Sequence, residues 1–395
     1  MLKVLLFVPH AVDAVCINHN LVAGLAESFS KSLSKEVDAQ VVSGTGHHAV
    51  EQISDYDIIH IFGCWSREAC QLSKRAYMHG IPYVLTPLGG LQPWETERHQ
   101  HSIFFQRQRH LVEHAAVVHV CGKLEHETFI SLGWNKRVAV VKNPVLTSQI
   151  TFASAASQIV ALYRKIIDSN VQLFIQSKAQ ELIGTLLQTG IDPHVSSLNP
   201  DLKKNGVETV VQRVSAFKGE DWRRILLYAD QEHVSGLLQQ AFDAIQVQYP
   251  SLNAQEIDRF ENKAKYAEGS LVTNTLLSKN LLLKNKVKDV FANNGSAEQQ
   301  LCLGLLNLHY ELQHHSMPLS HLMDLYQLAR FSDVDEDAVR DMTGRLGVDD
   351  FASRLTSVLS TFLGLPEGFW IFEPKEGAKT KRLFIAMTKF GQYNY

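Results

Sequence analysis

The chain has 395 residues, enough to bury the cores of two domains. Its apolar content of 45% and charged content of 20% are those of a globular protein, and a net charge of −3 argues against general nucleic-acid binding, which needs a basic surface. The five cysteines form no CxxC pair and no metal-finger spacing, so free thiols in a reducing cytoplasm are expected.

The chain begins with a strand, a helix and a second strand. Leu2–Val8 and Val37–Ser43 are apolar runs that predict strands, and Asn18–Lys35 has the four-residue apolar spacing of a helix. The loop Pro9–Asn18 contains no glycine, so its Cβ atoms would hold a phosphate away from the backbone amides. No stretch reaches the roughly 18 apolar residues of a membrane span, and none is predicted.

A βαβ unit follows at Ile58–Trp94. Ile58–Phe62 and Tyr83–Leu85 predict buried parallel strands, and Arg67–His79 between them has helical spacing. Both strands end in loops rich in glycine, proline and tryptophan, and ligands of open α/β sheets bind beyond the carboxyl ends of strands. The two loops are therefore predicted to line one crevice. Its candidate binding residues are Gly63, Trp65, Pro87, Gly89, Gly90 and Trp94.

Strand and helix patterns continue to about residue 145. Glu95–His114 predicts a polar helix, and its HLVEH run is interpreted as a polar helix face rather than a metal site. Ala116–Cys121 and Val138–Lys142 predict two further strands, and Lys123–Leu132 predicts a helix that ends at Gly133. These patterns predict no metal and no cofactor.

These stretches resemble the N-terminal, acceptor-side domain of family 4 glycosyltransferases of the GT-B fold. The family patterns vvHiHGlWs and iPyvlsPHGmldpW correspond to Ile58–Ser66 and Ile81–Trp94. The matched residues are His60, Gly63, Trp65, Ser66, Pro82, Pro87, Gly89, Leu91, Pro93 and Trp94. One departure is Leu88, which replaces the histidine that the family places near the reacting sugar.

A third stretch, Ala116–Val145, extends the resemblance. The family pattern aavihatseaEaeelralGw…vavipNpv is matched by Glu125 or Glu127, Gly133, Trp134, Asn143 and Pro144. From the residues alone, the favoured interpretation of the two glutamates and Trp134 is a solvated helix face and a packing ring. The resemblance therefore covers about the first 145 residues.

The resemblance implies one Rossmann-like half of a GT-B enzyme over residues 1–147. Its implied function is metal-free transfer of a hexosyl group from a nucleotide sugar in surface or exported polysaccharide synthesis. Trp65 and Trp94 would stack on sugar faces or fill the core beneath their loops, and Arg67 and Lys123 are the nearest candidates for a phosphate contact. Expected partners are a glycan or glycolipid acceptor, a nucleotide sugar and a partner glycosyltransferase chain. The expected location is cytoplasmic, with peripheral contact at the inner membrane face left open.

Residues 152–395 have a continuous helical pattern, which predicts an all-α domain with a subdivision near residues 293–296. The predicted helices are Ala153–Ser169, Val171–Thr189, Trp222–Gln248, Ala254–Tyr266, Val272–Phe291 and Ala297–His314. This pattern contains no Gly-rich turn and no Glu-x7-Glu helix of a GT-B donor domain. The alternative hypothesis is therefore a catalytically inactive glycan-binding or assembly partner of a glycosyltransferase.

The tail carries a second resemblance. Met317–Pro366 resembles the helical C-terminal part of some bacterial polymerase-β-type nucleotidyltransferases, but no Gly-Ser turn followed by an Asp-x-Asp pair occurs. His321 and Asp324 lie three residues apart on a predicted helix, so they are expected to orient one another at its surface.

Overall fold

A computed structural model describes residues 2–9, 19–33, 37–43, 53–145, 147–175, 177–192, 210–251, 257–260, 281–290, 295–314 and 317–390. The chain divides into two compact units. The first comprises Met1–Asn170 with the short segment Asp258–Glu261, and the second comprises Val171–Ile257 and Asn262–Tyr395.

The first unit is an α/β unit built on a six-stranded, all-parallel sheet, as the sequence predicted. Its strands are β1 (Leu2–Val8), β2 (Val37–Ser43), β3 (Ile58–Phe62), β4 (Tyr83–Thr86), β5 (Val117–Val120) and β6 (Val138–Val140). Their order is β2-β1-β3-β4-β5-β6, with Phe7 of β1 opposite Ile61 of β3. Because the order reverses at β1, the carboxyl ends of β1 and β3 form a topological switch point.

Helices cover both faces of this sheet. They are α1 (His19–Leu33), α2 (Arg67–Met78), α3 (Pro93–His99), α4 (Ile103–His114), α5 (Lys123–Leu132) and α6 (Phe152–Ser169). One face packs against α1 and α6, through Phe29 and Tyr163 among others. The opposite face packs against α2, α4 and α5, through Leu72, Leu111 and Phe129. Burial on both faces explains why the strands are almost uniformly apolar.

The helix α6 belongs to the first unit, although the sequence analysis ended that domain at residue 147. Ala155, Ile159 and Tyr163 of α6 are fully buried in the same core as the sheet residues Val4 and Leu6. The physical reason is that α1 and α6 together cover this face. A helical pattern identifies the helix but not the surface on which it packs.

Three predicted long helices are interrupted. In Val171–Thr189, Val171–Phe174 form a short 3₁₀ helix and α-helical structure begins only at Ser177. Glu95–His114 is interrupted between α3 and α4, where the Ser102 hydroxyl accepts a hydrogen bond from Phe104 N at 3.1 Å and caps α4. Trp222–Gln248 is interrupted at His233, whose φ of 57° is left-handed and incompatible with a continuous helix. Local polar caps and one backbone dihedral therefore ended helices that the apolar spacing would have continued.

The second unit is built of helices joined by loops, and no strand occurs among its described residues. Its helices are α7 (Ser177–Ile191), α8 (Gly219–Gln231), α9 (Ser235–Ala244), α10 (Leu281–Val290), α11 (Ala297–His314), α12 (Leu319–Phe331), α13 (Glu336–Leu346), α14 (Asp349–Leu363) and α15 (Ala378–Ile385). Of the predicted helix Ala254–Tyr266 only residues 257–260 are described, and they are not helical. The predicted subdivision near 293–296 lies mostly outside the described residues.

Buried carboxylates join helices within the second unit. The sequence analysis expected His321 to pair with Asp324 on its own helix. Its direct partner is instead a carboxylate on α11, because His321 Nδ1 lies 2.8 Å from Glu311 Oε2. Glu232 follows α8 and accepts a hydrogen bond from Leu319 N, at the start of α12, at 2.9 Å. The contacting residues are 10 and 87 positions apart, beyond the three- and four-residue spacings that relate neighbours on one helix, so helical spacing did not reveal them.

Among the helices that the structure describes, none combines the length and the apolar character needed to cross a bilayer.

Candidate functional site

Two loops meet at the carboxyl edge of the sheet. Residues 63–66 follow β3 and residues 87–92 follow β4. The indole Nε1 of Trp65 donates a hydrogen bond to Gly90 O at 2.6 Å and joins the two loops directly. They lie side by side, as expected for consecutive parallel strands, and residues 63–66 and 87–94 form what is called the carboxyl-edge site below.

The backbone of this site is left-handed at four positions. Gly63 and Gly89 have φ values of 86° and 82°, which glycine adopts without steric cost. Trp65 and Leu88 have φ values of 59° and 53°, and a bulky residue in this region costs about 1–3 kcal/mol. The surrounding contacts must hold both residues in place. Such backbone strain clusters at functional sites, so it supports this edge as a site.

Close packing, and not a left-handed backbone angle, is what requires a glycine at position 90. A Cβ atom there would lie 2.9 Å from Cys64 Cβ and 3.0 Å from Pro87 O. Neither neighbour can move easily, because one is the first side-chain atom of a buried residue and the other is backbone. Only glycine fits between the two loops at this position.

Glu125 ties the Gly89 loop to the segment that follows β5. Its Oε1 accepts a hydrogen bond from Gly89 N at 2.8 Å, and its Oε2 accepts one from Cys121 N at 2.7 Å. Glu127, the alternative match in the sequence, is exposed and lies 3.7 Å from Lys123. The interpretation of Glu125 as part of a solvated helix face was therefore wrong, because two backbone amides from separate loops converge on it.

The two tryptophans have different environments. The Trp65 ring stacks on His99 at a centroid distance of 4.3 Å and on Phe105 at 6.3 Å, and its amide N donates to Gln108 Oε1 at 2.7 Å. Trp65 therefore anchors its loop by packing. Trp94, at the start of α3, is 55% exposed and retains an accessible ring surface. Of the two, Trp94 is the one placed to stack on a ligand.

The helix α3 carries a buried carboxylate beside an imidazole. Glu95 is 2% exposed, and its Oε2 has no hydrogen-bond partner. The nearest basic groups are His99 Nε2 at 3.8 Å and Arg98 Nη1 at 4.0 Å. The His99 Nε2 and Gln108 Nε2 atoms are also buried without a partner. Unpartnered polar atoms are thus concentrated around Trp65.

The two basic residues proposed as phosphate contacts both lie at the carboxyl edge. Arg67 is exposed at the first position of α2, directly after the 63–66 loop. Lys123 begins α5 and is 89% exposed, with Glu127 as its nearest acidic neighbour. Both can reach an anion in solution at this edge.

The cysteines near the site are not activated nucleophiles. Burial raises the pKa of the Cys64 thiol well above its usual value, and the nearby Glu125 carboxylate raises it further. Burial likewise raises the pKa of Cys121. A thiol is nucleophilic as the thiolate, so covalent catalysis by these two residues is disfavoured near neutral pH.

A buried chain of hydrogen bonds crosses β3, β4 and β5 beneath the site. Tyr163 Oη lies 2.7 Å from His60 Nδ1, and Thr86 Oγ1 lies 2.6 Å from His60 Nε2 and 2.7 Å from His119 Nδ1. His119 Nε2 lies 3.0 Å from Val141 O. Because a carbonyl only accepts, the direction of every bond is fixed: His119 donates to it, Thr86 to His119, His60 to Thr86, and Tyr163 to His60.

Both histidines in this chain are neutral. Burial lowers the pKa of His119 to about 4, and burial followed by repulsion from His119 lowers the pKa of His60 well below its usual value. The chain of hydrogen bonds ends at a backbone carbonyl, which cannot pass a proton on. Its role is therefore structural, and it is not a proton relay. The sequence analysis missed it, although a histidine inside each of two apolar strands was a visible signal.

Metal-binding arrangements do not appear in the described part of the chain, where no group of three or more His, Cys, Asp or Glu side chains could hold an ion. In the HLVEH run, the rings of His110 and His114 stack at 3.9 Å, and Glu113 lies 2.7 Å from Arg109. These side chains form a helix surface.

Comparison of the chain with known protein families, curated proteins and solved structures gives no match.

Proposed function

We propose that the first unit binds a glycan or glycolipid acceptor at the carboxyl-edge site, as the acceptor half of a glycosyltransferase-like protein. The observation that supports this most is the Trp65–Gly90 hydrogen bond, which joins two loops at the sheet edge where open α/β proteins bind ligands. The exposed ring of Trp94 and the exposed side chains of Glu97 and Arg98 on α3 offer the two features that sugar recognition needs, an apolar surface and hydrogen-bonding groups. The resemblance of both loops to family 4 glycosyltransferases supports the same assignment.

The reaction proposed for this site is transfer of a hexosyl group from a nucleotide sugar to an acceptor hydroxyl, in surface or exported polysaccharide synthesis. In such a reaction, backbone amides and basic groups stabilise the departing phosphate, a role open to Arg67 and Lys123. Most donor contacts in a GT-B enzyme come from a second Rossmann-like domain, and the described residues of the second unit are helical. A partner glycosyltransferase chain is therefore proposed as the source of the donor site.

The alternative proposal is an inactive glycan-binding or assembly partner. The observation that favours it is Leu88, a buried apolar side chain at the position where the resembled family places its histidine. A leucine can neither accept a proton nor polarise a hydroxyl. Under this alternative the site still binds a glycan but no transfer follows.

Glycan binding is tested by titrating the full chain with a panel of methyl glycosides of the common hexoses and N-acetylhexosamines, using saturation-transfer NMR and calorimetry. Trp94→Ala is expected to weaken binding about tenfold, because it removes the exposed stacking surface. The matched control is Phe331→Ala in the second unit, since Phe331 is 54% exposed and Trp94 55%. Equal effects of the two variants, or no binding by the wild type, would contradict the assignment.

Nucleotide sugars separate the two proposals. The chain alone is expected to bind them with dissociation constants of about 1 mM or weaker, because few preorganised donor contacts are present. Micromolar binding that a substitution in the second unit abolishes would identify a donor site there and a working transferase. Glycan binding without transfer, in the presence of a candidate partner chain, would favour the inactive alternative.

A further inference from the structure

The carboxylate of Glu95 lies on α3, directly after the last residue of the carboxyl-edge site. It is almost fully buried, yet Oε2 accepts no hydrogen bond. A carboxylate oxygen that is buried without a hydrogen bond is unfavourable, so this atom calls for a partner or a function. The atom nearest to Oε2 that can share a proton with it is His99 Nε2, one helical turn away at 3.8 Å. Arg98 lies at 4.0 Å, but its side chain is largely exposed.

The His99 ring is held from two sides. Trp65 stacks on it at 4.3 Å with an interplanar angle of 15°, and Glu95 faces its Nε2 edge. A carboxylate opposite Nε2 favours the tautomer with the proton on Nε2, which leaves Nδ1 as a hydrogen-bond acceptor. The side chain is 21% exposed while Nε2 is fully buried, so the accessible atoms of His99 do not include the nitrogen that faces Glu95.

We propose that Glu95 and His99 form a ligand-recognition pair, in which Nδ1 of His99 accepts a hydrogen bond from a sugar hydroxyl and Glu95 positions the ring. The inference rests on the proposed glycan-binding function and assigns that ligand's chemical class as a polyol with a donating hydroxyl. In this arrangement, closure of the 3.8 Å gap to hydrogen-bond distance accompanies ligand binding, because polar contacts in unliganded sites are often long.

The position of the pair within the site supports this role. The helix α3 starts directly after the Gly89–Gly90 loop, so His99 and the exposed Trp94 belong to the same short helix at the edge of the site. The side chain of Leu88 cannot hydrogen bond to a hydroxyl. The pair therefore supplies a side-chain acceptor, which Pro87, Leu88, Gly89 and Gly90 lack.

The first test uses the methyl glycoside panel with the variants His99→Phe and Glu95→Gln. Phenylalanine keeps a ring over Trp65 but removes the acceptor nitrogen, so binding is expected to weaken about tenfold, the loss of one hydrogen bond. Glu95→Gln is expected to weaken binding less, because its amide oxygen can still face Nε2. Glu97→Gln is the control, since it removes a carboxylate from the exposed face of the same helix.

A second test needs no ligand. Nitrogen-15 correlated NMR of the full chain, with His99 assigned from the spectrum of His99→Phe, reports which ring nitrogen carries the proton. The Nε2–H tautomer is expected in the wild type, and a mixture of tautomers in Glu95→Leu. An Nδ1–H tautomer in the wild type would overturn the proposal, whatever the substituted proteins bind.

The outcomes separate the pair from the proposed function. Wild-type binding that His99→Phe leaves unchanged would overturn the recognition pair and leave the glycan-binding function standing. Absence of binding by the wild type to every sugar of the panel would overturn the function and the pair together. Weaker binding by His99→Phe, with Glu97→Gln unchanged and the Nε2–H tautomer in the wild type, would establish the pair.

Discussion

At the scale of single residues, the carboxyl-edge site depends on side chains that hold loops rather than on side chains that face solvent. Glu125 is the clearest case, because its two oxygens bind amides from the Gly89 loop and from the end of β5. Trp65 does the same through its ring stacking and its indole N–H. A ligand at this edge would meet a backbone whose left-handed angles at Trp65 and Leu88 are already fixed.

Removing the Glu125 carboxylate should destabilise the first unit. Glu125→Ala leaves two backbone amides without their charged acceptor, and the free energy of unfolding is expected to fall by about 2–3 kcal/mol. The measurement is denaturant unfolding followed by hydrogen exchange of peptides from β4 and β5. Glu127→Ala, which removes only an exposed ion pair with Lys123, is expected to cost less than about 0.5 kcal/mol. Similar losses for both variants would contradict the bridging role.

At the scale of secondary-structure elements, buried polar contacts fix the relative positions of neighbouring strands and helices, which non-directional apolar packing does not fix by itself. The His60–Thr86–His119 chain links three adjacent strands and ends on Val141, after β6. Every donor in it has an acceptor, so the chain fixes the relative placement of these strands without an uncompensated polar group. In the second unit, Glu232 similarly links the end of α8 to the start of α12.

The histidine chain predicts loss of stability in acid. The folded-state pKa of His119, about 4, is below its unfolded value near 6.5, so the unfolded chain binds more protons between these pH values. The free energy of unfolding of the first unit should therefore fall as pH drops through this window, by up to about 1.4 kcal/mol per pH unit for each such histidine. Above pH 6.5 this contribution is fully present.

The variant that checks this is His119→Leu, whose acid slope should be shallower even though its stability at neutral pH is lower. Hydrogen exchange of β3–β5 peptides as a function of pH is the measurement. His79→Leu, which removes an exposed histidine beyond the end of α2, should keep the wild-type slope. A slope unchanged by His119→Leu would mean that other groups control the acid response.

Glu232 predicts the opposite pH dependence for the second unit. Burial raises the pKa of Glu232 to about 8, above its unfolded value of about 4.5, so the folded state binds the extra proton. Its contribution is fully present below pH 4.5 and is lost as pH rises through 8. Glu232→Gln, a neutral isostere that can still accept from Leu319 N, should raise the free energy of unfolding at pH 8 by on the order of 1–3 kcal/mol. A destabilised Glu232→Gln protein at that pH would show that the carboxylate form is preferred.

At the scale of the whole molecule, the chain combines a parallel-sheet unit and a helical unit, and the boundary between them follows α6. Residues 1–175 retain the helix that covers the α1 face of the sheet, whereas residues 1–147 expose that apolar face to water. The longer fragment should remain monomeric with protected strands, and the shorter should aggregate. Size-exclusion chromatography and hydrogen exchange of the two fragments provide the measurement. A well-folded 1–147 fragment would contradict the placement of α6.

The sequence by itself determined the elements whose signals are local. The bounds of β1, β2 and β3 and of α11 agree with those predicted, because buried parallel strands are short uninterrupted apolar runs and helices repeat their apolar residues every three to four positions. It also located the two loops of the site, since glycine, proline and tryptophan directly after a strand mark a carboxyl-edge turn. The change from alternating strands and helices to helices alone was predicted for the same reason.

Only the tertiary structure decided which side chains act together. Glu125 meets Gly89 across 36 positions, and His60 meets Tyr163 across 103, separations at which sequence spacing carries no information. The packing of α6 on the sheet could not be predicted either, since any amphipathic helix of the chain could cover that face. Glu95 and His99 show both levels: their i, i+4 spacing is visible in the sequence, whereas the burial of Glu95 and the stacking of His99 on Trp65 come from the tertiary structure.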